Sequence, residues 1–182
     1  MRKLRAGIVG CSGIANDKHL PAIQRNGNFE ITAFCDLFEE RAQTAKETYG
    51  TPDARVYTDY RELLKEDLDV VYVLTPNSTH AEVSIAAMES GKHVMCEKPM
   101  AKTYAEAKAM VDVAHRTGKV LNIGYQCRYR ADAQYLKQAC EDGELGDIYF
   151  AKALAVRRRA VPTWGVFLDK DKQRVGSHIN QG

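Results

Sequence analysis

The sequence predicts an α/β fold with a doubly wound parallel sheet. Three observations carry that expectation. Apolar, β-branched runs alternate with helix-patterned stretches over residues 1–124. Helix-capping residues stand between them, and a small-residue turn, Gly10-Cys11-Ser12-Gly13-Ile14-Ala15, follows the first apolar run directly. Alternating β and α units join parallel strands through helical crossovers.

Leu4 to Val9 reads as the first strand and Phe29 to Cys35 as the second. The helix between them starts at the glycine turn and must break or kink at Pro21, which lacks an N–H. A helix from Glu39 to Tyr49 stops at Gly50, a short strand spans Arg55 to Tyr57, and Asp59-Tyr60-Arg61-Glu62 reads as a capping box ahead of Leu63 and Leu64. Asp69 to Leu74 is a continuous apolar run suited to a strand covered on both faces. Thr79-His80-Ala81-Glu82 reads as a second capping box, on a helix ending at Gly91. His93 to Cys96 is the next strand. Thr103-Tyr104-Ala105-Glu106 caps a helix with Ala107, Met110, Val111 and Ala114 on one stripe, and Gly118 precedes a strand at Val120 to Ile123. This first unit is expected to occupy residues 1–124. After it the pattern changes to a helix around Asp132 to Cys140, a turn at Gly143 to Gly146 and a strand of another sheet from Asp147 to Arg158.

Composition narrows the function classes. Apolar residues make up 45% of the 182 and charged ones 27%, close to globular averages, which argues against wholesale disorder. A formal net charge of +2 gives no case for nucleic acid, and the one compact basic run, Arg157-Arg158-Arg159, reads as a solvated strand end. The five cysteines show no C-x-x-C spacing, which suits reduced thiols and gives no support to a metal site. No run has the length of a membrane span or the build of a signal peptide, so a cytoplasmic protein is expected.

The glycine turn carries the first functional signal. A pyrophosphate needs main-chain N–H groups at close range and the positive end of a helix dipole. Gly10 supplies the tight turn. Ser12 and Ala15 stand where the usual G-x-G-x-x-G has its second and third glycines, and Gly13 keeps the backbone permissive. Asp36, at the end of the second strand, is placed to take both ribose hydroxyls of NAD and to repel a 2′-phosphate. Leu37, Phe38 and Glu39 follow it with no Arg or Lys to welcome NADP, so NAD is the expected cofactor and NADP the less expected one.

Two further polar groups stand where strands end. Thr75-Pro76-Asn77-Ser78-Thr79-His80 is a capping loop after the Asp69 to Leu74 run. Glu97-Lys98-Pro99 follows the next strand, where Lys98 reads either as a donor or acid/base group for a substrate oxygen or as half of a surface salt bridge.

Taken together, Gly10 to Ala15, Asp36, Thr75-Pro76-Asn77-x-x-His80, Glu97-Lys98-Pro99 and Gly124-Tyr125-Gln126-x-Arg128-Tyr129 resemble, in identity and order, the Gfo/Idh/MocA oxidoreductase family. The resemblance implies a Rossmann domain over 1–124. It implies that 125–182 begin an α/β substrate and oligomerisation domain, with a mostly antiparallel sheet, that is truncated here. It places Lys98 near both nicotinamide and substrate, and Gly10, Ser12, Gly13, Ile14, Ala15, Asp36, Thr75, Pro76, Asn77, His80 and Glu97 on the cofactor. Tyr125, Gln126 and Arg128 would close on the nicotinamide and substrate side, with Trp164 as a cofactor contact and Asn180 facing substrate. The tail from Gly176 to Gly182 resembles the start of a glycine-rich helix whose next turn brings a catalytic histidine; His178 is not at that position. The implied activity is hydride transfer between NAD and a secondary alcohol of a sugar, inositol or related polyol, in a homo-oligomer. The competing expectation is a non-catalytic dinucleotide-binding module.

Overall fold

A computed structural model describes residues 2–154, 156 and 169 of the chain. Six strands, β1 (Leu4–Val9), β2 (Phe29–Cys35), β3 (Arg55–Tyr57), β4 (Val70–Val73), β5 (His93–Cys96) and β6 (Leu121–Ile123), form one sheet in the order β3-β2-β1-β4-β5-β6. Every pairing is parallel. The order reverses between β1 and β4, so the crevice at their carboxyl ends is the switch point where such sheets bind ligands.

Side chains alternate across the sheet and supply two cores. On one face Ile8 and Phe34 pack with Leu20 and Ile23 of α1 (Leu20–Asn26) and Ala42 and Ala45 of α2 (Glu39–Tyr49). On the other, Val71, Val73 and Val94 meet Leu63 of α3 (Tyr60–Leu63), Val83, Ala87 and Met88 of α4 (His80–Glu89), and Met110 and Val113 of α5 (Tyr104–Thr117). The central strands β1, β2 and β4 are therefore apolar on both sides, the pattern that made β4 legible. Helix α6 (Ala131–Glu141) follows the sheet. No helix among the described residues is long and apolar enough to cross a membrane.

Several local expectations hold and several do not. The break demanded by Pro21 is a single π-helical turn, Ala15–His19, which hands over to α1 with Pro21 in its first turn. Thr103 and Glu106 form the reciprocal capping box on α5. Asp59 caps α3 by accepting the Arg61 N–H, while Glu62 turns to Lys65 instead of completing the box. At Thr79 the expected box does not form. A 3-10 turn, Asn77–Thr79, runs straight into α4 and gives Thr79 a helical backbone (φ −111°, ψ −2°), so its hydroxyl meets Thr75 Oγ1 and the Pro76 carbonyl instead of the helix. Gly50 ends α2 at φ −79°, an ordinary conformation. It is glycine for space, because a Cβ there would lie 2.9 Å from the Phe34 ring and 2.8 Å from the Lys46 carbonyl.

The strand expected from Asp147 to Arg158 is absent from its described part: 147–154 carry no strand pairing and are exposed. A strand exists through pairing of its N–H and C=O groups, and no described strand lies alongside to pair with it. Arg157 to Arg159, Trp164, His178 and Asn180 lie outside the described residues.

The capping box on α5 sets a measurable stability. Thr103→Ala is expected to cost about 1 kcal/mol, read as a lower urea midpoint with an unchanged denaturation slope.

Candidate functional site

At the end of β1 the chain turns at Gly10 with φ +96°, and a Cβ there would lie 2.7 Å from the Leu74 carbonyl carbon and oxygen. Only glycine fits. Helical backbone begins at Gly13, and the Asn16 N–H closes the first turn on the Ser12 carbonyl (3.1 Å). The Asn16 side chain donates to the carbonyls of Cys11 (2.9 Å) and Ser12 (3.2 Å). Loop carbonyls are thereby drawn inward, and the first N–H groups of the helix have no intrahelical partner. Ser12, Gly13 and Ile14 are exposed and Ala15 is buried under the turn. At Gly13 a Cβ would meet nothing closer than Asp17 Oδ2 at 3.8 Å, so the fold itself does not require glycine there. The space beside it is open for a ligand to approach.

Asp36 is buried at the tip of β2. Its Oδ2 accepts the Cys11 N–H (2.9 Å) and its Oδ1 accepts the Phe38 N–H (3.0 Å). Each oxygen keeps a further lone pair for a hydroxyl donor. The first turn of α2 brings Arg41 to 4.0 Å from Oδ1, with its guanidinium 4.3 Å above the Phe38 ring. A cation therefore does stand beside the Asp36 carboxylate, five residues along the sequence from it. Arg41 was not visible as a site residue from sequence; its place in the first turn of α2 is the signal.

Gly10, Ser12, Gly13, Asp36, Thr75 and Pro76 line a cleft of about 1200 Å³ at the switch point. Phe38, Arg41, Tyr60 and Arg61 bound its far end. Asn77, His80, Glu97 and Lys98 lie beyond it, in a second cluster at the ends of β4 and β5. His80 is wholly buried, with Nδ1 2.7 Å from the Pro99 carbonyl and Nε2 2.9 Å from the Thr75 carbonyl, so its ring ties the two loops together. Asn77 is also buried. Glu97 Oε2 accepts the Lys98 N–H (3.0 Å), and Oε1 meets His19 Nε2 at 2.7 Å. The peptide between Lys98 and Pro99 is cis.

His19 was not visible as a site residue from sequence. It lies on the π-helical turn, 78 positions from Glu97, and only the fold brings them together. Burial raises the Glu97 carboxyl, but the His19 hydrogen bond and charge, the Lys98 N–H and the Lys98 charge outweigh it and hold the group below its ordinary value. Gly124 closes on the same carboxylate from β6, where a Cβ would lie 3.4 Å from Oε1. Tyr125 follows at the rim, half-buried, while Gln126 and Arg128 stand exposed on the 3-10 turn Gln126–Tyr129. The structure thus gathers Thr75, His80, Glu97, Lys98 and Tyr125 at one end of the sheet and leaves Gln126 and Arg128 pointing to no described partner in that cluster.

Burial lifts the thiols of Cys11, Cys35 and Cys96 to about 12, which keeps them from acting as nucleophiles. Among the described residues no group of three His, Cys, Asp or Glu is placed to hold a metal.

Comparison with known proteins agrees with this geometry. Residues 4–125 match the model of an oxidoreductase family with an NAD-binding Rossmann fold. D-glucoside 3-dehydrogenase of Escherichia coli K12 is 40% identical over 180 residues, 98% of this chain and 51% of that protein. Inositol 2-dehydrogenase of Salmonella typhimurium is 36% identical over 146 residues, 79% of this chain and 43% of that protein. Among solved structures, the WlbA dehydrogenase from Bordetella pertussis in complex with NADH and UDP-GlcNAcA superimposes with a TM-score of 0.75 at 33% identity, covering 82% of this chain and 44% of that one. KijD10, a 3-ketoreductase from Actinomadura kijaniata in complex with NADP, gives a TM-score of 0.70 at 29% identity, over 80% of this chain and 46% of that one. The chain spans about half the length of the curated relatives it matches.

The Glu97 shift gives a sign for pH dependence. The unfolded carboxyl takes up its proton near pH 4.5 and the native one only at lower pH, so the pair stabilises fully above 4.5 and its contribution fades as pH falls through the native value. Glu97→Gln is expected to flatten the loss of urea midpoint between about pH 5 and 3, a background slope from Glu66 and Asp69, also held low, remaining.

Proposed function

The chain belongs to the Gfo/Idh/MocA oxidoreductase family, and from that premise we propose that it holds NAD across the switch point and serves hydride transfer between NAD and a secondary alcohol of a sugar, inositol or related polyol. The observation that carries the proposal is the convergence, on one edge of a parallel sheet, of the Gly10 turn, the Asp36 carboxylate and the Lys98-bearing turn.

The residues present fit the cofactor. Main-chain N–H groups from Gly13 to Ala15 face the place of the pyrophosphate, Gly13 leaves room for it, and Asp36 has lone pairs for two ribose hydroxyls. Thr75 and Pro76 form the wall across the crevice, with the buried Asn77 behind them. NAD, when bound, supplies the hydride acceptor at C4 of its nicotinamide. Everything else falls to the chain. Lys98 directs its ammonium at the substrate oxygen, stabilising negative charge there and taking or returning the proton as the alcohol becomes a carbonyl or the reverse. Glu97 and His80 hold the turn that presents it. Tyr125, Gln126 and Arg128 face the nicotinamide and substrate side, Trp164 contacts the cofactor and Asn180 the substrate.

Residues 1–124 are the cofactor domain in this reading, and 125–182 begin the substrate domain, through which a homo-oligomer forms. The 3-dehydrogenase relative makes the C3 hydroxyl of a glucoside the first substrate to try.

Two measurements test the proposal. NADH fluorescence should titrate saturably, and Asp36→Ser should weaken NADH by about tenfold or more, the worth of hydrogen bonds to a charged group, while narrowing or reversing the gap to NADPH now that Arg41 is unopposed. A variant with unchanged discrimination removes Asp36 from the ribose site. Turnover, followed as NADH appearance with methyl glucoside or myo-inositol, should fall by about 100-fold or more in Lys98→Ala, the range of a lost acid/base group, with NADH affinity retained. Turnover equal to wild type ends the Lys98 assignment, and saturable binding with no turnover on any polyol favours the non-catalytic module.

A further inference from the structure

His19 and Glu97 form a hydrogen-bonded pair in which both side chains are mostly buried, at 14% and 13% exposure. Exposed pairs such as Arg61–Asp59, Lys65–Glu62 and Lys108–Asp112 join near neighbours in sequence and are screened by solvent. This pair instead joins the π-helical turn behind the glycine loop to the turn after β5.

Each end is braced. The His19 ring packs edge-on against Tyr72, centroids 6.2 Å apart at 69°, and Tyr72 packs edge-on against Phe29. The Glu97 N–H donates to the Val73 carbonyl at 3.0 Å, fixing the residue to β4. Its carboxylate has one oxygen on His19 and the other on the Lys98 N–H. Because that carboxylate is ionised, Nε2 of His19 carries the proton and donates. On the far side of Lys98, the Pro99 carbonyl accepts from His80 Nδ1. The three-residue turn is therefore gripped by a histidine at each end, His19 from the π-helical turn and His80 from the first residue of α4.

We propose that His19 is a positioning residue for Lys98: it fixes the Glu97 carboxylate, and the carboxylate fixes the Lys98 main chain. What Lys98 does rests on the cofactor reading above; how Lys98 is held does not. Without His19 the buried carboxylate lacks its side-chain donor and rotates toward water or toward another donor, since an unmet charge in that place is costly. The Lys98 N–H then loses its acceptor. The adenosine end of the cleft, built from Gly10, Asp36 and Phe38, shares none of these bonds.

That separation gives the experiment. Amide hydrogen exchange is followed by NMR on the free 182-residue chain, wild type, His19→Ala and His19→Gln. The Lys98 amide should exchange about tenfold faster or more in His19→Ala, the scale of one hydrogen bond to a charged acceptor, while the Cys11 amide, accepted by Asp36, stays within about twofold. His19→Gln, whose side-chain amide still donates, should restore protection. In parallel, His19→Ala should weaken NADH by about tenfold but leave ADP-ribose, which lacks the nicotinamide, within about twofold. Unchanged Lys98 exchange in His19→Ala overturns the proposal, as does equal acceleration across the sheet or equal loss of both ligands, either of which marks His19 as a general stability residue. If the wild type binds neither ligand, the cofactor reading fails, and the exchange comparison still decides whether His19 positions Lys98.

Discussion

The site depends on the contact between Gly10 and the carbonyl group of Leu74. The Gly10 N–H donates to the Cys35 carbonyl at 2.8 Å, and the Leu74 N–H donates to the Val9 carbonyl at 2.8 Å, so the ends of β2, β1 and β4 are knitted together at this residue. A Cβ would be driven into the Leu74 main chain, and main chain at the end of a buried strand cannot move aside as a flexible side chain does. Absence of that atom lets β1 and β4 stay paired to their last residues while the chain turns at positive φ. The next amide, Cys11, then points at Asp36. The carboxylate is held by the loop beside it, so the proposed pyrophosphate and ribose positions share one geometric origin.

From that point the sheet acts as a ruler. Parallel register puts the ends of β1, β2, β4 and β5 on one edge, and each loop beyond them is fastened to a neighbour: Asp36 to Cys11, His80 to Thr75 and Pro99, Glu97 to His19. Each fastening uses a buried polar side chain on main chain or on another buried side chain. In the low dielectric of the interior such bonds are strong when made, and an orphaned partner costs about 1–3 kcal/mol. A site built this way is rigid before any ligand arrives.

Much of this was legible in the sequence because it rests on local chemistry. The apolar run at Asp69 to Leu74 became β4, the proline interruption at Pro21 became a π-helical turn, and Gly10 and Asp36 fell where a strand end and its neighbour put them. What escaped was set by distance. Nothing near His19 in sequence announces a carboxylate 78 residues away, and nothing at Arg41 announces Asp36 until a helical turn is drawn. Thr79 misled because its capping pattern is genuine, yet the 3-10 turn ahead of it had already supplied the helix start. The run after Asp147 misled for the opposite reason: its residues suit a strand, yet a run becomes a strand only beside another strand, and none of the described strands lies next to 147–154.

The arrangement at Asp36 also explains why a carboxylate with a guanidinium 4.0 Å away still argues for NAD. Two charges at that separation attract or repel by about 1 kcal/mol in water and about 4 kcal/mol near a protein surface. Asp36 is 9% exposed and Arg41 52%, so the negative partner acts at the larger of these strengths and the positive partner closer to the smaller. Arg41 is further occupied by its stack on Phe38. A 2′-phosphate entering here meets the full repulsion of the buried anion and a screened attraction from the cation, whereas a pair of hydroxyls meets open lone pairs on an acceptor already locked by two N–H groups. In the binding mode proposed above, discrimination resides in the difference in burial between the two charges.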